Sequence, residues 1–196
     1  MAATLEAIRG ADQQLPDPTR NQLVPMIKSI AWVQGVGATD LAAANFVGEL
    51  AVVYAFDFAH TVRYSRLDDL RKLGLSVDDA QPVALQNLRA RIPPELATRG
   101  DGKSFLFTAG GTFEASLILI PEPWDQLERQ HPGSLVCCVL ARDVLLVTAT
   151  GIAGGVASLC AARDRILEQM PASEIISMRL YVRTQRTWLP WAQPTS

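Results

Sequence analysis

The sequence predicts an α+β fold, a single domain with a mixed, mainly antiparallel sheet covered by helices. Strand-like apolar segments follow one another in pairs, and helical segments separate the pairs. The length of 196 residues, with 48% hydrophobic and 19% charged residues, suits one domain with a substantial core. This order of segments implies a mixed or antiparallel sheet rather than a doubly wound one. We expect an N-terminal helix and connector in residues 1–21 and the domain in residues 22–196.

The N-terminal segment is the least patterned part of the chain. Pro16 and Pro18 end any helix begun at residues 4–8, because proline lacks the backbone N–H and restricts the residue before it. Residues 22–30 can form a strand, and Pro25 would confine it to the edge of a sheet. We therefore expect a short helix, a connector and an edge strand here.

A clearer pattern follows in the first half of the domain. Residues 50–58 read as a strand that is mostly buried on both faces. Ser65 can cap a short helix, and Ser76 with Asp79 three residues later resembles a capping box that opens a second helix. Pro82 should kink or restart that second helix.

The second half predicts most of the sheet, which should have about five or six strands with helices on one side. The residues Ala141, Arg142 and Asp143 separate two apolar runs that form the best hairpin candidate, placed near the sheet centre. After a loop at residues 93–102, the expected strands are residues 104–108, 113–120, 135–140, 144–150 and 175–183, followed by a strand or tail at residues 187–191. The expected helices are residues 124–131 and the segment after residues 151–155.

The charge balance and the cysteines limit the class of protein. A formal net charge of -2 and a pI near 5.7 give no basic footprint for nucleic acid. Glu6 and Arg9 interrupt the apolar core that a signal peptide needs, and no uncharged segment reaches membrane-spanning length. The odd set of Cys137, Cys138 and Cys160 suits reduced, buried thiols. We expect a soluble, cytoplasmic protein that binds neither nucleic acid nor membrane.

A succession of sequence blocks resembles the bacterial YtpQ-like family of unknown function. The blocks are PMIKS (residues 25–29), YAFDFAHTVRY (54–64), ALQNLRAR (84–91), FEASLIL (113–119) and ARDVLLV (141–147). The resemblance implies a bacterial, cytoplasmic α+β protein and carries no established activity. The positions that carry the likeness are Asp57, Asn87, Arg89, Glu114, Ser116, Arg142 and Asp143.

Four polar residues are the candidates for a ligand site. Glu114 and Ser116 lie two apart and would share one face of a strand, just after a glycine pair that lets a ligand approach the backbone. Arg142 at a hairpin tip could present a guanidinium to a carboxylate or phosphate. Asp57 lies in an apolar strand and must find a partner or shift its pKa.

Each candidate also has a purely structural explanation. Glu114 can pair with an arginine and Ser116 can satisfy a nearby backbone group. Turn chemistry accounts for Arg142 and the aspartate beside it. A buried ion pair with His60 or Arg63 accounts for Asp57. Both sets of explanations stay open at the level of sequence.

Other chemistries find less support in the sequence. Residues 151–155 follow a strand and open a helix, where backbone N–H groups can hold an anion, although close packing explains the glycines as well. His60 and His131 lie far apart and neither has metal-ligand spacing, so we expect no metal and no cofactor. Ser158 lies within a helical pattern, which argues against a hydrolase nucleophile.

The aromatic pair Trp188 and Trp191 is the candidate for partner binding. Exposed, it would anchor another protein; otherwise it closes the core. No complete catalytic set is present, so the sequence favours a non-catalytic protein-binding module of adaptor or immunity type, with another protein as its partner. The alternative is a small-ligand-binding protein or hydrolase-like enzyme that uses Asp57, Glu114, Ser116 and Arg142 around one pocket at the sheet edge.

Overall fold

The computed structural model describes residues 16–93 and 96–192, which form two compact units that divide between Arg91 and Ile92. Each unit has its own antiparallel sheet, so the predicted α+β class is confirmed. The strands expected in one sheet of five or six strands form instead a four-stranded and a six-stranded sheet. The helix expected at residues 4–8 lies outside the described residues. A single domain over residues 22–196 stays a prediction.

In residues 16–91, the part of the N-terminal unit that the structure describes, there are four strands and three α-helices. The strands are β1 (Leu23–Ser29), β2 (Ala43–Val47), β3 (Leu50–Asp57) and β4 (Val62–Tyr64). The helices are α1 (Ile30–Gly35), α2 (Leu67–Lys72) and α3 (Val77–Arg91), and a 3-10 turn (Arg20–Gln22) precedes β1.

Strand β3 forms the centre of the N-terminal sheet. It pairs with β1 on one side, where Pro25 lies opposite Tyr54, and with β2 and then β4 on the other. Strand β1 is at the edge of the sheet, as Pro25 predicts, because an edge strand can lack one N–H without loss of a ladder bond. Every residue of β3 except Asp57 is buried.

Helix α3 begins with the predicted capping box. The Asp79 amide donates to Ser76 Oγ at 3.1 Å, and the Ser76 hydroxyl donates to the Asp79 carboxylate at 2.6 Å. The helix then buries Ala80, Ala84 and Leu88, which are four residues apart. The helix does not restart at Pro82 but runs through it, and the Pro82 side chain is exposed; a kink at Pro82 stays a prediction.

Helix α2 has a different cap from the predicted one. Its N-cap residue is Arg66 rather than Ser65, and the Asp69 carboxylate accepts the Arg66 amide at 2.9 Å. Asp69 also pairs with Arg63 at 3.3 Å. A carboxylate in the first turn of the helix is therefore the group that satisfies the free backbone N–H.

The described part of the C-terminal unit contains six strands and two α-helices. The strands are β5 (Ala97–Gly100), β6 (Phe105–Thr108), β7 (Leu135–Ala141), β8 (Val144–Ala149), β9 (Leu180–Thr184) and β10 (Thr187–Pro190). The helices are α4 (Glu122–Gln130) and α5 (Gly155–Leu167). The strand order is β10-β9-β7-β8-β6-β5, so the predicted β7–β8 hairpin does lie at the sheet centre.

Helices cover both faces of the six-stranded sheet, rather than the one face expected. Helix α5 packs on the face that carries Val136, Cys138, Leu140, Leu146 and Leu180. Successive residues of a strand point to opposite faces of the sheet, so Phe107 and Arg183 lie on the opposite face from α5. There the α4 residue Trp124 contacts Phe107, and Asp125 pairs with Arg183.

The strand predicted for residues 113–120 is wrong. Those residues contain a 3-10 turn (Ala115–Leu119) whose first four members are all buried. An apolar run that is buried on every side looks the same in a short helix as in a strand. Gly110 and Gly111 precede it at φ values of 96° and 83° and reverse the chain.

Among the described residues, no helix has both the length and the apolar character needed to cross a membrane.

Candidate functional site

Asp57 lies at the end of β3 in the N-terminal unit and is held by an ion pair. Its carboxylate accepts Arg91 Nε at 2.8 Å, and both side chains are about one-quarter exposed, at 27% and 23%. The other Arg91 nitrogens donate to the carbonyls of Asn87 and Asn21. The partner is thus Arg91 rather than the expected His60 or Arg63. The pair joins the end of α3 to the sheet and explains Asp57 structurally.

Glu114 and Ser116 are buried in the C-terminal unit. Glu114 Oε1 accepts the backbone N–H groups of Ala109 and Gly111, each at 2.7 Å, so this carboxylate closes the glycine turn. Oε2 is buried and has no hydrogen-bond partner among the described residues. These contacts differ from the arginine pair considered for Glu114.

Arg142 lies at the tip of the β7–β8 hairpin, beside the same turn. Its carbonyl accepts the Ala115 amide at 3.0 Å, while its side chain is exposed. The backbone at Glu114 and Ser116 is therefore held against the hairpin tip. Glu114, Ser116 and Arg142 share the C-terminal unit, whereas Asp57 belongs to the other unit. A ligand role for these four residues stays a prediction.

Trp188 is buried and helps to close the core. Its ring meets Trp124 edge-on at 4.8 Å between centroids, and Trp124 meets Phe107 in the same way at 5.4 Å. Trp191 is half-buried, and its amide donates to the Leu180 carbonyl at 2.8 Å. The structure thus favours core closure over an exposed aromatic anchor for Trp188, and partly for Trp191.

Close packing explains the glycines that open α5. A Cβ on Gly155 would lie 2.3 Å from Thr148 Oγ1, and one on Gly151 would lie 2.3 Å from the Pro132 carbonyl oxygen. Both separations are shorter than any real contact of this kind. The glycines let the chain pass close to its neighbours, so no anion needs to be invoked.

Within the described residues, the three cysteines form no disulfide. Cys137 and Cys138 are buried in β7, and Cys160 lies on α5 against the core. Burial raises the pKa of the Cys137 thiol well above its usual value. Within the described ranges, no group of three or more His, Cys, Asp and Glu side chains could hold a metal ion.

A groove of about 720 Å³ lies in the C-terminal unit between α5 and the strands β5, β6 and β8. We call it the α5–β5 groove and define it by its floor, Leu106, Leu146, Ile166 and Met170, and its rim, Arg99, Asp101, Ser104, Arg165 and Glu174.

A single row of side chains across the sheet explains the groove. Cross-strand pairing aligns Arg99, Leu106, Leu146, Cys138 and Leu180 on one face. Helix α5 covers the inner part of this row, where Leu146, Cys138 and Leu180 are buried. The sheet extends past the helix at β5 and β6, so Arg99 and part of Leu106 face the open space.

The rim of the groove carries charges of both signs. Arg99, Arg165 and Glu174 are exposed, and within the described residues none of these side chains forms a hydrogen bond or an ion pair. Uncommitted charges beside an apolar floor can pair with a ligand, because no internal contact has to be broken first.

By contrast, both carboxylate oxygens of Asp101 already accept hydrogen bonds. Its Oδ1 accepts the amides of Lys103 and Ser104, each at 2.9 Å, and its Oδ2 accepts the Ser158 hydroxyl at 2.7 Å. Ser158 Oγ in turn lies 2.8 Å from Ser104 Oγ. The Ser104 amide and then the Ser158 hydroxyl hold the pKa of Asp101 far below its usual range.

Sequence reasoning missed the groove. Residues 93–102 were expected to form a loop, whereas the structure contains β5 there. Asp101 and Ser158 are 57 residues apart, so no local motif joins them. The only available signal was the short run Asp101-Gly102-Lys103-Ser104, which is typical of a turn closed by an aspartate side chain.

Comparison with known proteins finds a distant relative in the curated proteins. No family model matches the chain, and no solved structure matches it. Over 138 residues the chain is 25% identical to a Listeria innocua protein named "UPF0354 protein lin1649", which belongs to an uncharacterised family. The match covers 69% of this chain and 52% of the relative, so the chain spans about half the relative's length. The resemblance to the YtpQ-like family stays a prediction.

Proposed function

We propose that the C-terminal unit is a non-catalytic protein-binding module that takes an extended peptide segment of another protein into the α5–β5 groove. The observation that carries the proposal is the groove itself, an apolar channel bordered by an edge strand. An adaptor or an immunity protein would use such a module to hold its partner.

Strand β5 can supply the backbone hydrogen bonds to the peptide. Strand β5 is last in the sheet order, and all four of its residues are exposed. Within the described residues it has β6 on one side and no strand on the other. An open edge presents N–H and C=O groups that an extended peptide can pair with.

The floor and the rim supply the side-chain part. An extended peptide places alternate side chains on one face, so apolar side chains can reach Leu106 and Ile166. Acidic peptide side chains can pair with Arg99 and Arg165, and a basic one with Glu174. A peptide satisfies this mixture of charges more readily than a ligand of one sign does.

The state of Asp101 supports binding rather than catalysis. Its lowered pKa makes it a weak base, and its carboxylate accepts its hydrogen bonds from groups of its own unit. The buried Cys137 thiol, with its raised pKa, is also a poor nucleophile.

The proposal is tested by panning a phage-displayed library of random linear peptides on the immobilised full chain. Enriched peptides are synthesised, and their affinities are measured by fluorescence polarisation. We expect sequences that combine apolar and acidic residues, and we expect Arg99→Glu and Arg165→Glu each to weaken binding by roughly fivefold, as for exposed charge pairs.

Arg129→Glu is the matched control, because Arg129 is an exposed arginine of the same unit that does not line the groove. It should leave the affinity unchanged. The proposal is wrong if no peptide is enriched, or if all three variants bind the peptides equally well.

A small amphipathic molecule is the second candidate, because the groove volume of about 720 Å³ lies in the range of ligand pockets, roughly 300–1,000 Å³. Calorimetry with decanoate, decanol and decyltrimethylammonium tests it. Binding of decanoate that Arg165→Glu weakens, without any peptide binding, would favour this candidate over the first.

A further inference from the structure

We infer that Ser104 fixes the hydrogen-bond polarity of the α5–β5 groove: it accepts a hydrogen bond from the bound peptide and does not donate one. The peptide therefore presents an N–H at this point. The inference rests on the proposed peptide-binding function and adds the chemical group that is recognised.

The Asp101 carboxylate determines where the Ser158 hydroxyl hydrogen points. An ionised carboxylate only accepts hydrogen bonds. Its Oδ1 is already bound by two backbone N–H groups at 2.9 Å, and its Oδ2 lies 2.7 Å from Ser158 Oγ. The Ser158 hydroxyl hydrogen must therefore point to Asp101.

The hydrogen between the two serine hydroxyls belongs to Ser104. Each hydroxyl has one hydrogen to donate and lone pairs to accept with. Since Ser158 has given its hydrogen to Asp101, the 2.8 Å contact between the two hydroxyl oxygens needs the hydrogen of Ser104. The hydrogen bonds therefore run from Ser104 to Ser158 and from Ser158 to Asp101. Ser104 Oγ has only lone pairs left for a further partner.

Ser104 lies in the lining of the groove. It lines the cavity directly before β6, two residues from the floor residue Leu106, so both side chains point to the α5 face of the sheet. Ser104 is only 6% exposed, so little water reaches it.

The consequence is selection between donors and acceptors. A peptide N–H at this point completes the chain of hydrogen bonds. A carbonyl there would face an oxygen without an available hydrogen, so both groups would lose water and gain no bond.

A backbone ester scan tests the inference. One of the enriched peptides is prepared as a series in which each amide N–H in turn is replaced by an ester oxygen, and binding to the full chain is measured by fluorescence polarisation. We expect one ester to weaken binding to the wild type by about tenfold through its contact with Ser104.

The loss of affinity caused by that ester should disappear in Ser104→Ala, because this variant has no hydroxyl to accept the peptide N–H. It should shrink in Ser158→Ala, where the Ser104 hydrogen is free to turn towards the peptide. Ser134→Ala is the control, because Ser134 lies in the same unit outside the groove lining, and it should reproduce the wild-type profile.

Two results would contradict the inference, and only the second would also contradict the proposed function. If the ester profiles of wild type and Ser104→Ala coincide while Arg165→Glu still weakens binding, the polarity is wrong and the proposed function stands. If the library yields no peptide, the proposed function and the inference are wrong together.

Discussion

At the scale of single residues, Arg183 shows how the C-terminal unit holds a buried charge. Its side chain is 1% exposed, and it pairs with Asp125 and Glu128, which are 24% and 32% exposed. Nη2 donates to Asp125 at 2.6 Å. Nη1 lies 2.6 Å from Glu128 without hydrogen-bond alignment, and Nε has no hydrogen-bond partner among the described residues. The hydrogen bond from Arg183 lowers the pKa of Asp125.

Replacement of Arg183 should destabilise the protein strongly. Arg183→Met removes the buried cation and leaves two carboxylates against the sheet, although their partial exposure lets water reach them. We expect a loss of about 2–3 kcal/mol in the free energy of unfolding, below the full cost of breaking a buried pair.

Urea titration measures this loss. Arg186→Gln is the control, because Arg186 pairs with the same Asp125 but is 66% exposed. It should cost less than about 1 kcal/mol. Equal losses in the two variants would contradict the importance of burial.

Asp101 gives a prediction about pH at the same scale. Its pKa is lowered in the folded state, so the folded protein binds this proton less readily than the unfolded chain does. The stability that Asp101 contributes is present above its ordinary pKa of 3.8 and is lost as pH falls through the folded value.

Asp101→Asn should therefore lower the melting temperature at pH 7, and its difference from the wild type should narrow below pH of about 3.8. Scanning calorimetry from neutral to acidic pH measures this difference. A gap that stays constant over the whole pH range would show that the Asp101 charge does not matter.

At the scale of elements, the start of α5 depends on the absence of a Cβ at Gly155. Alanine is normally preferred to glycine in a helix, by roughly 0.5–1 kcal/mol. At Gly155, however, the new Cβ would lie 2.3 Å from Thr148 Oγ1, which a 2.7 Å hydrogen bond to the Lys103 carbonyl holds in place. The neighbour cannot move without loss of that bond.

We therefore expect Gly155→Ala to destabilise the protein by about 1–3 kcal/mol, the usual cost of overpacking. Gly35→Ala is the control, because a Cβ at this α1 position meets no atom within 4 Å. It should be neutral or slightly stabilising in the same denaturant titration. A neutral Gly155→Ala would mean that the strand and helix can separate at little cost.

Elements with a local signal were predictable from the sequence. The capping box of Ser76 and Asp79, the edge position of β1 and the β7–β8 hairpin each depend on residues that are close together in the chain. The 3-10 turn at Ala115–Leu119 was not predictable, because a fully buried apolar run has no periodicity that separates a helix from a strand.

At the scale of the whole molecule, the chain divides into two units, each with a sheet and a core of its own. The C-terminal unit also contains every residue that lines the α5–β5 groove. These facts predict that the unit folds and binds peptide by itself.

Expression of residues 92–196 alone tests this prediction. We expect a cooperative thermal transition by circular dichroism, and a peptide affinity within about twofold of that of the full chain. A gradual, non-cooperative transition would show that the unit needs the rest of the chain to fold.

The sequence by itself determined the α+β class and most of the strands and helices, because hydrophobic periodicity, caps and turns act over a few residues. Only the tertiary structure decided which polar residues meet. It paired Asp57 with Arg91 across 34 residues and Asp101 with Ser158 across 57. It also divided the strands between two sheets and left β5 and β6 uncovered beyond α5. Such contacts depend on strand order and register, and neither is written in the spacing of neighbouring residues.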